Sequence, residues 1–162
     1  YYIIDGRDLS PSDIILAQEL SNYVDAMLFL CLENFQPLTK QGYKISAGRP
    51  SSKAYLNQDK IVIETEMPVS LLVGNSEKKI SSFVAQISAE HFYKTLRVAR
   101  EIVHSQQGKE ICLSCVSGMA AENELIITVL PSYNNTYVYE LEDQDYFIGE
   151  ENYRLRFATQ YE

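Results

Sequence analysis

Hydrophobic and polar positions alternate in the middle of the chain. Ile61, Ile63, Thr65, Met67, Val69, Leu71 and Val73 hold the odd positions, with Glu64, Glu66 and Ser70 between them. A period of two is the mark of a strand with one buried and one wet face. Pro68 interrupts this run without an N–H to give a ladder, so the strand is an edge there or carries a bulge. Gly74-Asn75-Ser76-Glu77-Lys78 reads as a hairpin loop, and Phe83, Ala85 and Ile87 alternate again on the return. A shorter strand is predicted over residues 43–47, ended by Gly48-Arg49-Pro50.

On either side of this region the period is helical. Ser10-Pro11-Ser12-Asp13 opens a helix with a capping hydroxyl and a proline suited to the first turn. From Ile14, the residues Leu16, Leu20, Tyr23, Val24, Met27, Leu28 and Cys31 recur at three and four until Pro37. That helix would run for about six turns, roughly 35 Å. Its apolar face should take Ile63, Met67 and Leu71, leaving Glu64 and Glu66 in solvent. Ser88 caps a second helix, whose Phe92, Leu96, Ala99, Ile102 and Val103 face one way until Gly108. A connection containing two cysteines follows. Strands are then predicted over 125–130, 136–141 and 153–158, the last two separated by an acidic loop over 142–152.

The fold class is therefore α+β, an antiparallel sheet of about five or six strands with two helices packed on it, in the order α-β-β-β-α-β-β-β. The 162 residues form a single domain, 1–162, of which 1–10 read as an extension. The chain opens Tyr1-Tyr2-Ile3-Ile4-Asp5-Gly6 without Met or a signal-peptide pattern. It reads as processed, or as beginning partway along a longer parent chain.

Fourteen Lys+Arg stand against 22 Asp+Glu, a net charge of −8. This excess repels phosphate backbones and anionic lipid, and excludes nucleic acid and polybasic membrane binding from the expected partners. No unbroken run of about 18 apolar residues occurs, so no segment reads as bilayer-spanning.

Candidate chemistry is sparse. Only His91 and His104 are present, roughly 20 Å apart along one predicted helix. Neither lies in a nucleophile, zinc-peptidase or phosphate-loop motif. No enzyme activity, catalytic residue, metal site or cofactor is expected, and no activity should depend on the histidines. Three cysteines are too few for a disulfide scaffold. Cys31 is expected to be a buried thiol on the first helix. Cys112-Leu113-Ser114-Cys115 could be a local disulfide, a pair of inert thiols, half of a metal site or a redox pair; the last should open a helix, which Val116-Ser117-Gly118 could barely start. A local disulfide is expected if the domain faces an oxidising exterior. Asn134-Asn135-Thr136 makes Asn134 a glycosylation candidate. With twelve tyrosines and no tryptophan, Tyr133, Tyr137, Tyr139 and Tyr153 are candidates for an interaction surface; the alternative is that they cover a half-wet sheet.

Several stretches together carry a resemblance: Tyr1-Tyr2-Ile3-Ile4-Asp5-Gly6 with Ser10-Pro11, Leu20-x-x-Tyr23, Cys31-Leu32-x-Asn34-Phe35, Gln41-Gly42-Tyr43-x-Ile45, Ala99-Arg100-Glu101-Ile102-Val103, Pro131-x-Tyr133-Asn134-Asn135-Thr136 and Tyr153-Arg154-Leu155-Arg156-Phe157-Ala158. The chain resembles a family of uncharacterised archaeal membrane-anchored, prepilin-like cell-surface proteins, over nearly its whole length. The resemblance implies an extracytoplasmic C-terminal domain held at the cell surface by an N-terminal anchor lying before this sequence. It brings no catalytic residues. The expected function is non-enzymatic: assembly, adhesion or envelope structure through protein partners or self-assembly. The alternative is a cystatin-like or nuclear-transport-factor-like module binding a small ligand between helix and curved sheet.

Overall fold

A computed structural model of the chain describes residues 1–74, 76–106 and 111–161. The predicted loop position Asn75 and the predicted helix stop at Gly108 lie outside them. The chain forms two compact units, Tyr1–Pro11 with Ala89–Glu162, and Ser12–Ser88.

In the first unit, β1 (Ile3–Ile4) and β2 (Arg7–Asp8) precede the second unit's residues. The chain returns as α3 (Glu90–Ser105), α4 (Leu113–Glu122), β7 (Leu125–Pro131), β8 (Thr136–Ile148) and β9 (Glu151–Gln160). The sheet order is β2-β1-β9-β8-β7, with β1 parallel to β9 and the other pairs antiparallel. Val98, Ala99, Ile102 and Val103 of α3 pack with Val116 of α4 on Ile3, Leu125, Tyr139, Leu141 and Phe157 of the sheet. Each is buried, so the heptad-like spacing on α3 is answered by a closed core.

In the second unit, α1 (Asp13–Cys31), a 3-10 turn at Glu33–Phe35 and the one-turn α2 (Gln36–Thr39) lead into β3 (Lys44–Ala47), β4 (Ser51–Leu56), β5 (Lys60–Val73) and β6 (Ser76–Ser88). Strand β5 pairs with β6 along one side and with β4 and then β3 along the other, all antiparallel. The β5–β6 register shifts between Glu66 and Val69, a bulge at Pro68. Gly48 N–H donates to the Pro68 carbonyl at 2.8 Å where the chain passes from β3 to β4. A Cβ at Gly48 would come within 2.6 Å of Pro68 Cγ, so only glycine allows this approach.

The α+β class stands, but several finer expectations are corrected. Among the described residues there are three helices of ten residues or more rather than two, and two sheets rather than one, one of them mixed. Helix α4 occupies the expected connection, opened by Cys112 as its N-cap. Strand β4 had no alternating apolar signal because Ser52, hydrogen-bonded to Thr65 of β5 at 2.9 Å, takes a buried position in it. The expected acidic loop over 142–152 is the β8–β9 hairpin. Glu140 and Glu142 lie directly opposite Arg156 and Arg154, so the carboxylates are matched across the ladder instead of repelling. The turn is Gly149-Glu150, with Gly149 at φ 68°. Within residues 1–10, Ile3 is fully buried and paired with Thr159.

Helix α1 ends before Pro37 because Glu33, Asn34 and Phe35 all adopt positive φ, a left-handed stretch no α-helix passes through. Its cap is Ser12, whose hydroxyl accepts from Ile15 N–H, while Ser10 is held by Asp8. The α3 cap is Ala89 rather than Ser88. By length and composition alone, Asp13–Thr39 is long and apolar enough to cross a membrane, although it contains no unbroken apolar run.

Candidate functional site

A strongly apolar concavity lies within the second unit, between α1 and the β5–β6 face. Val24, Leu28 and Leu32 come from the helix and its end, Phe35 and Leu38 from the turn after it. Ile63, Met67, Val69 and Leu71 come from β5, facing the helix as the alternation predicts. Glu64 and Glu66 face solvent. Phe83 and Ala85 of β6 close the rim. The volume is about 370 Å³. Thr65 brings the single hydroxyl among the lining side chains, so the groove is built for apolar groups and holds nothing that could orient a polar substrate.

This groove exists because α1 is poorly seated. Of its residues only Ser21 is buried, donating its hydroxyl to the Ala17 carbonyl at 2.7 Å and accepting from Ala54 N–H at 2.9 Å. The N-terminal half is thus tied to β4 by a polar contact. Ile14, Ile15, Tyr23 and Leu30 are exposed, Ile14 at 83%. Cys31, expected to be buried, is exposed too, because the helical apolar stripe is broader than the surface that meets it.

In the first unit the polar residues converge on Asp143, whose side chain is fully buried. It accepts from His91 Nδ1 at 2.8 Å and the Asp145 N–H at 3.2 Å, and faces Lys94 Nζ at 3.3 Å. Burial pushes its carboxyl upward, but the hydrogen bonds from His91, Asp145 and Lys94 outweigh that and hold it below the usual carboxylate range. The His91 ring stacks on Tyr146 at 4.4 Å. Sequence spacing gave no sign of this cluster, since Asp143 lies across the sheet from α3 and looked like one more loop acid. Its geometry is that of a satisfied ion pair: three donors on one carboxylate.

Tyr139 is corrected from surface to core. It is fully buried, stacked on Phe157 at 4.9 Å, and donates to Gln106 Oε1 at 2.6 Å; Tyr161 donates to the same oxygen at 2.6 Å. Burial pushes the Tyr139 phenol far above its ordinary value. Tyr137 and Tyr153 are half-buried, and burial also raises the Tyr153 phenol. Only Tyr133 of the four projects freely, 89% exposed. Asn134 sits exposed beside it in the β7–β8 turn, at φ 53°.

Cys112 and Cys115 are joined as a disulfide across the first turn of α4, their Cα atoms 5.2 Å apart. The sequence judged a helix here barely possible. It forms because Ala120, Ala121 and Met119 continue the run beyond Gly118. Closing so short a ring restricts the unfolded chain by only about 2 kcal/mol. Among the described residues, no group of three or more His, Cys, Asp and Glu side chains could hold a metal ion. Comparison with known proteins adds no relative: no family model, no curated protein and no solved structure matches the chain.

Proposed function

We propose that the chain is a non-enzymatic extracytoplasmic domain of a membrane-anchored or pilin-like archaeal surface protein, in assembly, adhesion or envelope structure, and that it self-assembles through the groove of the Ser12–Ser88 unit. The observation that carries this reading is the apolar groove beside a helix that leaves its own apolar residues in water. One unit thereby presents both an acceptor and an exposed apolar patch around Ile14 and Ile15. Two different complementary surfaces on one molecule join copies head to tail, giving rings or open filaments rather than closed dimers. An exposed patch of this kind is the ordinary sign of a protein contact. The Cys112–Cys115 disulfide supports an oxidising exterior.

The test is analytical ultracentrifugation of the chain and two variants, Ala85→Arg on the groove rim and Ile14→Asp on the helix. The wild-type chain should form concentration-dependent species larger than a dimer, and each variant alone should stay monomeric. An equal mixture should give dimers and nothing larger, because one intact groove then meets one intact patch. A wild-type monomer at every concentration overturns the reading. The volume of about 370 Å³ also suits a small apolar molecule. A monomer that binds a fluorescent apolar dye, lost in Ala85→Arg, would establish the small-ligand alternative instead.

A further inference from the structure

The geometry points to the Cys112–Cys115 disulfide as a redox-active site that accepts electrons from a dithiol on another protein, with Cys112 as the sulfur that carries the mixed disulfide. The reactive group is the disulfide itself, and three features make it exchangeable rather than only structural. First, it staples nothing distant: both cysteines belong to one helical turn, so opening it releases no other element.

Second, the surroundings are those of a surface group. Leu113 is 61% exposed, Ser114 is exposed, and both cysteines are partly accessible. The first turn of α4 carries no acidic residue to repel an incoming thiolate.

Third, the two sulfurs are inequivalent. Cys112 Sγ accepts the Cys115 N–H at 3.2 Å and lies 3.5 Å from Ser114 Oγ, as the N-cap of a ten-residue helix. A thiolate at Cys112 inherits those donors and the positive end of the helix, and both lower the free energy of the charged sulfur. Cys115 lies three residues further into the same turn, where its own N–H is the donor to Cys112 Sγ.

The exchange balances without a further reagent. One thiolate of the partner dithiol attacks Cys112 Sγ, and the Cys112–Cys115 bond breaks with its electron pair on Cys115, which takes up a proton. The partner's second thiolate attacks its own sulfur in the mixed disulfide and expels Cys112 as the stabilised thiolate. The partner's two thiols have lost two electrons and two protons. Cys112 and Cys115 have gained the electrons, Cys115 has gained one proton, and the other passes to solvent. A stabilised leaving thiolate favours the reduced pair and makes the disulfide an acceptor. This site lies in the first unit and stands independently of the groove.

The experiment uses the whole chain with Cys31→Ser to remove the third thiol. Oxidised protein is equilibrated with dithiothreitol in its reduced and oxidised forms, and the thiol state is read by alkylation and mass. Both states should interconvert while circular dichroism stays folded. In addition, Cys115→Ser and Cys112→Ser are made in the same background. At neutral pH iodoacetamide should modify Cys112 about threefold faster than Cys115, because a larger share of Cys112 is thiolate while that thiolate is intrinsically somewhat less nucleophilic. A disulfide reduced only on unfolding, or two cysteines of equal reactivity, would overturn the assignment. If one single variant fails to fold, the dithiothreitol equilibrium and the folded-state reading of the Cys31→Ser parent still decide it.

Discussion

Helices α3 and α1 are both apolar enough to anchor a sheet, yet they meet opposite fates. In α3, Thr95, Leu96, Val98, Ala99, Ile102 and Val103 are all buried; in α1 only Ser21 is. The difference lies in how the apolar residues are distributed around each helix. On α3 they form one stripe with Arg97, Arg100, Glu101 and His104 on the other side. On α1 they go most of the way round, and a sheet can cover only one side. A helix with more apolar surface than its unit can bury leaves a groove on one flank and exposed side chains on the other.

The largest effect that separates the two is a core truncation. Ile102→Ala in α3 should cost about 3 to 4 kcal/mol, through lost transfer energy and a new cavity. Leu28→Ala in α1 should cost about 1 kcal/mol, since it enlarges a space that is already open. Denaturant unfolding of each variant, with hydrogen exchange to assign the loss to its unit, checks both. Equal costs would end the contrast.

Next comes the buried carboxylate. Asp143→Asn leaves His91 and Lys94 facing an uncharged amide and should cost about 2 to 3 kcal/mol near neutral pH. Because the folded carboxyl sits below its ordinary range, its contribution is present above pH of about 3.9 and is lost as pH falls through the folded value. The wild-type chain should therefore weaken on acidification, and Asp143→Asn should flatten that limb of a stability–pH curve. Asp8 and Glu142 are also held low, Asp8 by Ser10 and Glu142 by Asn152 and Arg154. All three belong to the first unit, so acid should open it ahead of the second, as amide exchange at low pH can show.

Smaller still is the cap of the loosely seated helix. Ser12→Ala removes the acceptor for Ile15 N–H and should cost about 1 kcal/mol, visible as faster exchange in the first turn of α1. The tyrosine pair comes last, and its exposed member gives the smallest effect. Tyr139→Phe deletes a buried donor to Gln106 and should cost about 1 kcal/mol, whereas the exposed Tyr133→Ser should stay within about 0.5 kcal/mol. Thermal melts of the two variants rank them directly.

How much of this could be read from the chain follows from the range of each signal. Period-two alternation over Ile61–Val73 and the stripe on α3 are local, and both elements appear where the pattern puts them. Pro68 lacks an N–H whatever surrounds it, so an irregularity there was legible, and the β5–β6 register shift supplies it. The proximity of Cys112 to Cys115 is equally local, because two intervening residues already bring the sulfurs within reach. The groove was half legible: the face that meets the helix was evident, but the failure to close it was not.

Other features depend on partners far away in the chain, and no window along the sequence contains them. Ile3 is buried because pairing beside Thr159 sets it in the core that α3 covers. The acidic stretch after Thr136 extends as a strand only because Arg154 and Arg156 return opposite Glu142 and Glu140. Tyr139 is core rather than surface because Gln106 and Phe157 receive it, and Asp143 is a hub rather than a loop acid because α3 brings His91 and Lys94 to it. Periodicity along the chain determined which residues want burial and in which kind of element; pairing across the sheet decided which of them obtained it, since burial and charge compensation are properties of contacts and not of single residues.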